Sequence, residues 1–372
     1  MHKILVVFGT RPELIKLAPI INEFCKRNLR ERLYIINTNQ HKDFIQQDLD
    51  YFHIDVDYQF KLNRNDDSLS LLNGLLLLEF NELKSKLKDL KITINAILGQ
   101  GDTCTSYSAA QYAFYEKTPF IHIEAGLRTD DLCQPFPEEY FRKMISTITA
   151  IDFAPTAYAE KKLINEGIAA NSIVVTGNTV IDNLKQLKNI NEFKNIKLED
   201  NKLVLITVHR RENIKNNLPL ITKRIIHCIK NNPEKLFIWV DNPGYKIEPN
   251  INIQLNNLKI IQPVSFFEMI EFYKRAQLII TDSGGIQEEA AYLRIPTLLF
   301  RTKTERIEGI ISGISKYIED SDNDLDSVIK GLNKNRLTKF NTIYGDGNAS
   351  KRIVDLLIGE RKLISFLKKT SK

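Results

Sequence analysis

Three carboxylates stand out by their surroundings. Asp102 and Glu124 lie between short apolar runs and glycine-containing turns, and Glu138 follows Pro135-Phe136-Pro137. Carboxylates in different environments can divide the roles of acid and base. A lone acidic residue at a helix start is also explained by its favourable interaction with the helix dipole. Three on one rim are harder to explain that way.

Two cationic clusters accompany them. Gly9-Thr10-Arg11-Pro12-Glu13 is followed by Lys16, and His209-Arg210-Arg211-Glu212 forms a second group. Guanidinium groups suit forked contact with phosphate oxygens. Pro12 fits a first helical turn, and Lys16 falls a turn later on a similar face. A diphosphate would account for both clusters; a solvated loop is the other reading of His209–Glu212. Ser283-Gly284-Gly285 sits between an apolar run and a helical segment. It reads either as a phosphate cradle at a helix N-terminus or as a tight turn capped by Ser283. Glu289 follows a turn later, placed to accept ribose hydroxyls or to favour the helix dipole.

Other reactive residues carry weaker signals. Cys104 and Cys133 lie inside motifs but have no His at a nucleophile's spacing. His41 ends a strand and loop, whereas His122 and Trp239 read as core residues. Phe266-Phe267 reads either as core or as a platform for a base, with Phe267 the candidate substrate contact. No GxxxxGK(S/T) or GxGxxG is present, so neither a Walker loop nor a dinucleotide redox site is expected.

The elements that must position these residues are short β-rich runs alternating with amphipathic segments. The runs are 4–8, 33–37, 96–98, 120–123, 153–154, 172–175, 203–208, 236–240, 258–262, 278–281 and 297–300. Helical patterns such as 12–28, 69–87 and 217–231 lie between them. This alternation predicts parallel sheets covered by helices. The strands are too many for one sheet. The expected fold class is therefore α/β, with two Rossmann-like, doubly wound domains facing across a cleft. The domains are expected at 1–172 and 173–356, with a C-terminal helix of about 357–372 packing back on the first. Every unusual motif directly follows a strand, where open α/β sheets bind ligands.

Composition is consistent with that class. The chain has 372 residues, 43% hydrophobic and 26% charged, with a net charge of +6. So mild a charge, with acids among the bases, reads as a lysine-rich surface and not as a nucleic-acid stripe. Cys25, Cys104, Cys133 and Cys228 are widely spaced and read as free thiols of a reducing compartment. No apolar run approaches the ~18 residues of a membrane span, and the N-terminal run reads as a strand and not as a signal peptide.

Taken in order, the motifs resemble the non-hydrolysing UDP-N-acetylglucosamine 2-epimerase family. The resemblance is carried by Gly9–Glu13 with Lys16, Gly101-Asp102-Thr103, His122–Thr129, Pro137-Glu138-Glu139 with Arg142, Thr176-Gly177-Asn178-Thr179, His209–Glu212, Asp282–Glu289, Thr304-Glu305-Arg306 and Tyr344-Gly345-Asp346-Gly347. It implies a GT-B-like fold and a cytoplasmic homodimer that supplies activated ManNAc for surface polysaccharide. It implies catalytic roles for Asp102, Glu124, Glu138 and His209. Contacts to UDP or its phosphates are implied for Arg11, Lys16, Ser283, Gly284, Gly285, Glu289 and Arg306. Arg142 and Phe267 complete the expected substrate-binding set. No cofactor, metal, nucleic acid or membrane partner is expected.

The implied chemistry suits these residue types. The C2 hydrogen of an N-acetylhexosamine is not next to a carbonyl and is hard to remove directly. Loss of UDP from C1 as a base takes the C2 proton gives a glucal. UDP then adds back as a proton reaches the other face of C2. This requires a base, an acid and cations to hold departing UDP.

The chain departs from the family pattern in places. Trp239-Val240-Asp241-Asn242-Pro243 lacks a usual His, and Asp67 stands in place of a Gln. In some bacterial members those two regions help bind a second UDP-GlcNAc as an allosteric activator, so that activation is placed in question. Asn39, Phe141, Ser146, Thr147 and Ile307 also differ from the usual residues. The alternatives are the same epimerisation on a modified sugar such as a UDP-diacetamido uronic acid, a GT-B glycosyltransferase, and an inactive UDP-sugar sensor.

Overall fold

The computed structural model describes residues 2–41, 45–64, 66, 68–187, 203–208, 218–241, 255–318, 325, 329 and 342–359. The chain divides into two units. One is Met1–Gln186 with the chain from Gly345 onward, and the other is Leu187–Tyr344.

The first unit holds strands β1 (His2–Phe8), β2 (Leu33–Asn37), β3 (Tyr58–Gln59), β4 (Thr93–Gln100), β5 (Phe120–Ile123), β6 (Ile151–Ala154) and β7 (Ile173–Val175). They form one sheet in the order β3-β2-β1-β4-β5-β6-β7, with every pair parallel. Its helices are α1 (Arg11–Lys26), α2 (Ile45–Phe52), α3 (Leu69–Asp89), α4 (Cys104–Tyr115), α5 (Glu138–Ile148), α6 (Ala157–Asn165) and α7 (Val180–Leu187). Residues Ile4–Phe8 are all buried, which is why β1 reads as an unbroken apolar run; a parallel sheet is covered on both faces. On α3, Leu72, Leu76, Phe80, Leu83 and Leu87 recur at helical spacing and are buried. The Phe80 ring meets Phe60 edge-on at 5.0 Å and stacks on Tyr112 at 4.9 Å.

The second unit holds β8 (Leu203–Thr207), β9 (Leu236–Val240), β10 (Leu258–Ile261), β11 (Ala276–Thr281), β12 (Thr297–Leu299) and β13 (Ser315–Tyr317). Their order is β10-β9-β8-β11-β12-β13, again all parallel. Helices α8 (Leu218–Asn231), α9 (Phe266–Arg275), α10 (Gly284–Leu293) and α11 (Ile307–Ile311) belong to this unit. Trp239 is fully buried in a core with Val204, Ile206, Phe237, Leu278 and Ile280. Both units are thus doubly wound α/β sheets. In each, strand order reverses once, between β1 and β4 and between β8 and β11, and such a switch point opens a crevice at the strands' carboxyl ends.

The division falls later than the expected residue 172. Strand β7 pairs with β6 through Asp152↔Ile173, Phe153↔Val174 and Ala154↔Val175. That pairing extends the first sheet and carries α7 with it. The helix expected at about 357–372 falls mostly on residues 360–372, which lie outside the described ones. Helix α12 (Ala349–Ile358) packs on α1. The buried Asp182 anchors its start, accepting the N–H groups of Ala349 at 3.1 Å and Ser350 at 2.8 Å. Among the described residues, no helix is long and apolar enough to cross a membrane.

Candidate active site

The turn after β1 is built around a buried carboxylate. Thr10 precedes α1, and Glu13 Oε2 accepts the N–H groups of Gly9 at 2.9 Å and Thr10 at 2.8 Å. The other oxygen, Oε1, accepts the Thr103 hydroxyl at 2.5 Å. Glu13 therefore ties the β1 turn to the turn after β4. Burial pushes its carboxyl up to about 7, against the lowering effect of these hydrogen bonds. Arg11 opens α1, with Pro12 second in the helix, where the missing N–H also costs no internal bond. Arg11 Nε donates to Asp48 Oδ2 at 2.8 Å. Burial raises the Asp48 carboxyl, and the Arg11 charge opposes that rise.

Asp102 follows β4 and is gripped from α5. Arg142 donates to Asp102 Oδ2 from Nε at 2.8 Å and from Nη2 at 2.5 Å. Its Nη1 donates to Glu139 Oε2 at 3.0 Å. Glu139 is fully buried, and its Oε1 accepts the N–H groups of Thr129 and Asp130, both at 3.1 Å. One guanidinium thus joins the turn after β4, the loop after β5 and α5. Glu138 is the first residue of α5 and is half-buried. It follows two cis peptide bonds, Gln134–Pro135 and Phe136–Pro137.

Glu124 follows β5 directly. It is 8% exposed and adopts a left-handed φ of 67°. Such a backbone is disfavoured for a residue with a side chain, and strain of this kind collects at functional sites. Its Oε2 accepts Lys16 Nζ and also Asn178 Nδ2, the latter at 2.6 Å. Lys16 and Glu124 form a buried ion pair, since their side chains are 9% and 5% exposed.

His122 is fully buried within β5. Its Nε2 donates to the Gly101 carbonyl at 2.7 Å, and Nδ1 lies 3.7 Å from Asp152 Oδ1. It is a core residue, yet it steadies the backbone beside Asp102. Burial pushes the Cys104 thiol up to about 11, so it supplies no thiolate near neutral pH. Cys133 is exposed on the loop before α5, and His41 is exposed beside the β1 turn.

In the second unit, Ser283 precedes α10, and Gly284 and Gly285 open it. The Ser283 side chain makes no capping bond. Space around Gly285 is open, while Gly284 lies against Arg306. Arg306 Nε donates to Glu288 Oε1 at 2.8 Å, and Nη1 pairs with Glu305 Oε1. Glu305 Oε2 in turn accepts Arg301 Nη2 at 2.5 Å. Glu289 is 9% exposed on α10. Phe266 and Phe267 form one buried edge-to-face pair on α9, which packs on α10. The structure therefore joins Lys16 to Glu124, Arg142 to Asp102, and Gly284 to Arg306. It pairs Arg11 with Asp48. His209, with Arg210, Arg211 and Glu212, lies outside the described residues, as does Asp67. Among the described residues, no group of three or more His, Cys, Asp or Glu side chains could hold a metal ion.

Comparison with known proteins identifies the family. A family model described as UDP-N-acetylglucosamine 2-epimerase matches residues 24–358. The chain belongs to the UDP-N-acetylglucosamine 2-epimerase family. It is thereby an epimerase, an isomerase by class. It is 35% identical over 381 residues to the UDP-N-acetylglucosamine 2-epimerase of Neisseria meningitidis serogroup A, an alignment covering 96% of this chain and 100% of that one. The crystal structure of the Neisseria meningitidis UDP-GlcNAc 2-epimerase bound to UDP-GlcNAc is similar at a TM-score of 0.85 and 33% identity, covering 96% of this chain and 100% of that one. The Methanocaldococcus jannaschii UDP-GlcNAc 2-epimerase, solved with UDP-GlcNAc and UDP, is similar at 0.84 and 32% identity, covering 96% and 99%.

Against this epimerase background, four residues of the site escaped the reading of the sequence. Asp48, Asn178 and Glu166 act through partners distant along the chain, and Glu139 acts through Arg142 and the N–H groups of Thr129 and Asp130. Glu166, for example, accepts Arg128 through both carboxylate oxygens at 2.8–3.1 Å. Asn178 lay within a recognised motif but carried no local sign of its partner, Glu124.

Proposed function

We propose that this chain inverts C2 of UDP-GlcNAc to give UDP-ManNAc. The observation that carries the reading is the pairing of two strand-end carboxylates with buried cations, Asp102 with Arg142 and Glu124 with Lys16. In the scheme, a carboxylate takes the C2 proton while the C1–O bond to UDP breaks, and C1=C2 forms. The resulting 2-acetamidoglucal then regains UDP at C1 and a proton on the opposite face of C2. Asp102, Glu124, Glu138 and His209 are the residues assigned to these proton transfers and to the departing charge.

Binding is assigned to the remaining set. Arg11, Lys16, Arg142, Phe267, Ser283, Gly284, Gly285, Glu289 and Arg306 are the residues assigned to hold UDP and the sugar. A helix N-terminus that carries glycines suits a diphosphate, and open space at Gly285 supports that assignment. The related structures that hold UDP-GlcNAc support the choice of substrate. The scheme calls for no redox cofactor. The enzyme is assigned to the cytoplasm as a homodimer, which light scattering would check.

Incubation of the protein with UDP-GlcNAc, followed by proton NMR, tests the reading. A UDP-ManNAc anomeric signal growing to equilibrium is expected. Its absence in a sample that binds UDP would contradict the substrate assigned.

A further inference from the structure

The loop Thr176–Thr179 of the first unit reaches the site in a way the reaction scheme does not use. Asn178 is 2% exposed, and its Nδ2 donates to Glu124 Oε2 at 2.6 Å. The amide's orientation is set by its other end. Oδ1 accepts the N–H of Val180 at 3.1 Å, at the start of α7, so the nitrogen faces the carboxylate. Lys16 donates to the same oxygen. An ammonium is a compact point charge with little directional demand. The planar, anchored amide supplies direction. Two donors from different elements on one oxygen fix how the Glu124 carboxylate is turned.

Asn178 is held in turn by the chain where it re-enters the first unit. Gly345 has a φ of 132°, and a Cβ there would lie 3.1 Å from Gly177 Cα and 3.2 Å from Asn178 N. Only glycine allows that approach at that backbone angle. Beside it, Arg352 of α12 donates to the Thr176 carbonyl at 3.0 Å. Arg352 also forks onto Asp346 at 2.8 and 2.6 Å. The returning segment therefore clamps the loop that presents Asn178.

We propose that Asn178 is a positioning residue for Glu124, and that Gly345 keeps Asn178 in place. The inference rests on Glu124 being an acid–base group of the epimerase. A carboxylate turned away from its working angle loses rate without losing the grip on UDP, because small misplacements at a reacting centre cost as much as about 100-fold.

Asn178→Asp keeps the side chain's shape and its acceptor for Val180, but turns an anionic oxygen toward Glu124. Its kcat on UDP-GlcNAc should fall by about 30-fold or more, with KM and the calorimetric Kd for UDP within about threefold of wild type. Gly345→Ala should lower kcat by about three- to tenfold with the same unchanged Kd. A kcat for Asn178→Asp near the wild-type value, or a matching loss of UDP affinity, would overturn the proposal. If that variant does not fold, an unchanged kcat in Gly345→Ala does so. If wild type makes no UDP-ManNAc, the functional reading fails separately. The side-chain amide resonance of Asn178 then decides: unmoved by Glu124→Gln it overturns the proposal, and displaced it sustains it.

Discussion

Arg306 occupies the space that a side chain on Gly284 would need. A Cβ at Gly284 would lie 3.0 Å from Arg306 Cζ and 2.8 Å from Glu305 Oε1, closer still to Arg306 Nη1. The guanidinium cannot simply swing away, since Glu288 and Glu305 hold it and both are buried. Gly284 is thus required by the ion network beneath the turn as well as by any ligand above it. Gly284→Ala should destabilise the protein by about 1–3 kcal/mol through overpacking and weaken UDP binding by about tenfold or more. Calorimetry with UDP checks the second effect. Wild-type affinity would remove this turn from the binding site.

The two-pronged grip of Arg142 on Asp102 leads to a second expectation. Asp102→Asn keeps the shape of the side chain but loses its charge. Its kcat should fall by at least about 100-fold, the range of a lost acid or base, with a cooperative melt like that of wild type. Arg142→Lys cannot aim two N–H groups of one planar fork at Asp102 Oδ2 while a third holds Glu139 and should show a smaller loss. Steady-state rates of both variants check this, and wild-type turnover in Asp102→Asn would remove that residue from the scheme.

The Lys16–Glu124 pair is buried, so breaking it from one side leaves an uncompensated charge. Lys16→Met should cost about 3–5 kcal/mol of stability. Adding Glu124→Gln should restore a good part of that loss, because the buried charge is then gone. Denaturant unfolding of the wild type, both single variants and the double variant measures the coupling. Additive losses would show that the two side chains do not depend on each other.

Glu13 gives the fold a pH dependence of predictable sign. Burial lifts its carboxyl from an ordinary 4.5 to about 7. Between those values the folded state holds a proton that the unfolded chain has released. The stability from this group is therefore full below pH 4.5, falls as the pH rises, and is lost above about 7. Glu13→Gln does not titrate. The advantage of wild type over this variant should shrink by about 2–3 kcal/mol between pH 5 and pH 8. Unfolding midpoints at the two pH values check it. A constant difference would show that Glu13 stays ionised throughout.

Much of this architecture is legible along the chain because a parallel strand covered on both faces leaves a dense apolar run. Leu33–Asn37, Phe120–Ile123 and Leu236–Val240 match their expected limits for that reason. Strands β3 and β13 have no such run. They are two and three residues long at sheet edges, and only pairing with β2 and β12 makes them strands. The site follows the same logic. Residues on strand-end turns announce themselves through glycine and proline, as with Asp102, Glu124 and Ser283. Asp48 and Asn178 do not, since their partners Arg11 and Glu124 stand 37 and 54 residues away. The polar stretch after residue 172 reads as a linker, whereas β7 at its start is held to the first sheet by pairing with β6.

The most direct test of the account is to run the reaction on UDP-GlcNAc in D₂O and to follow C2 by proton NMR. Removal and return of the C2 proton at carboxylates that exchange with solvent predicts UDP-ManNAc carrying deuterium at C2, with deuterium also entering the recovered UDP-GlcNAc. UDP-ManNAc that retains its original C2 hydrogen would contradict the proposed proton transfers at Asp102, Glu124 and Glu138.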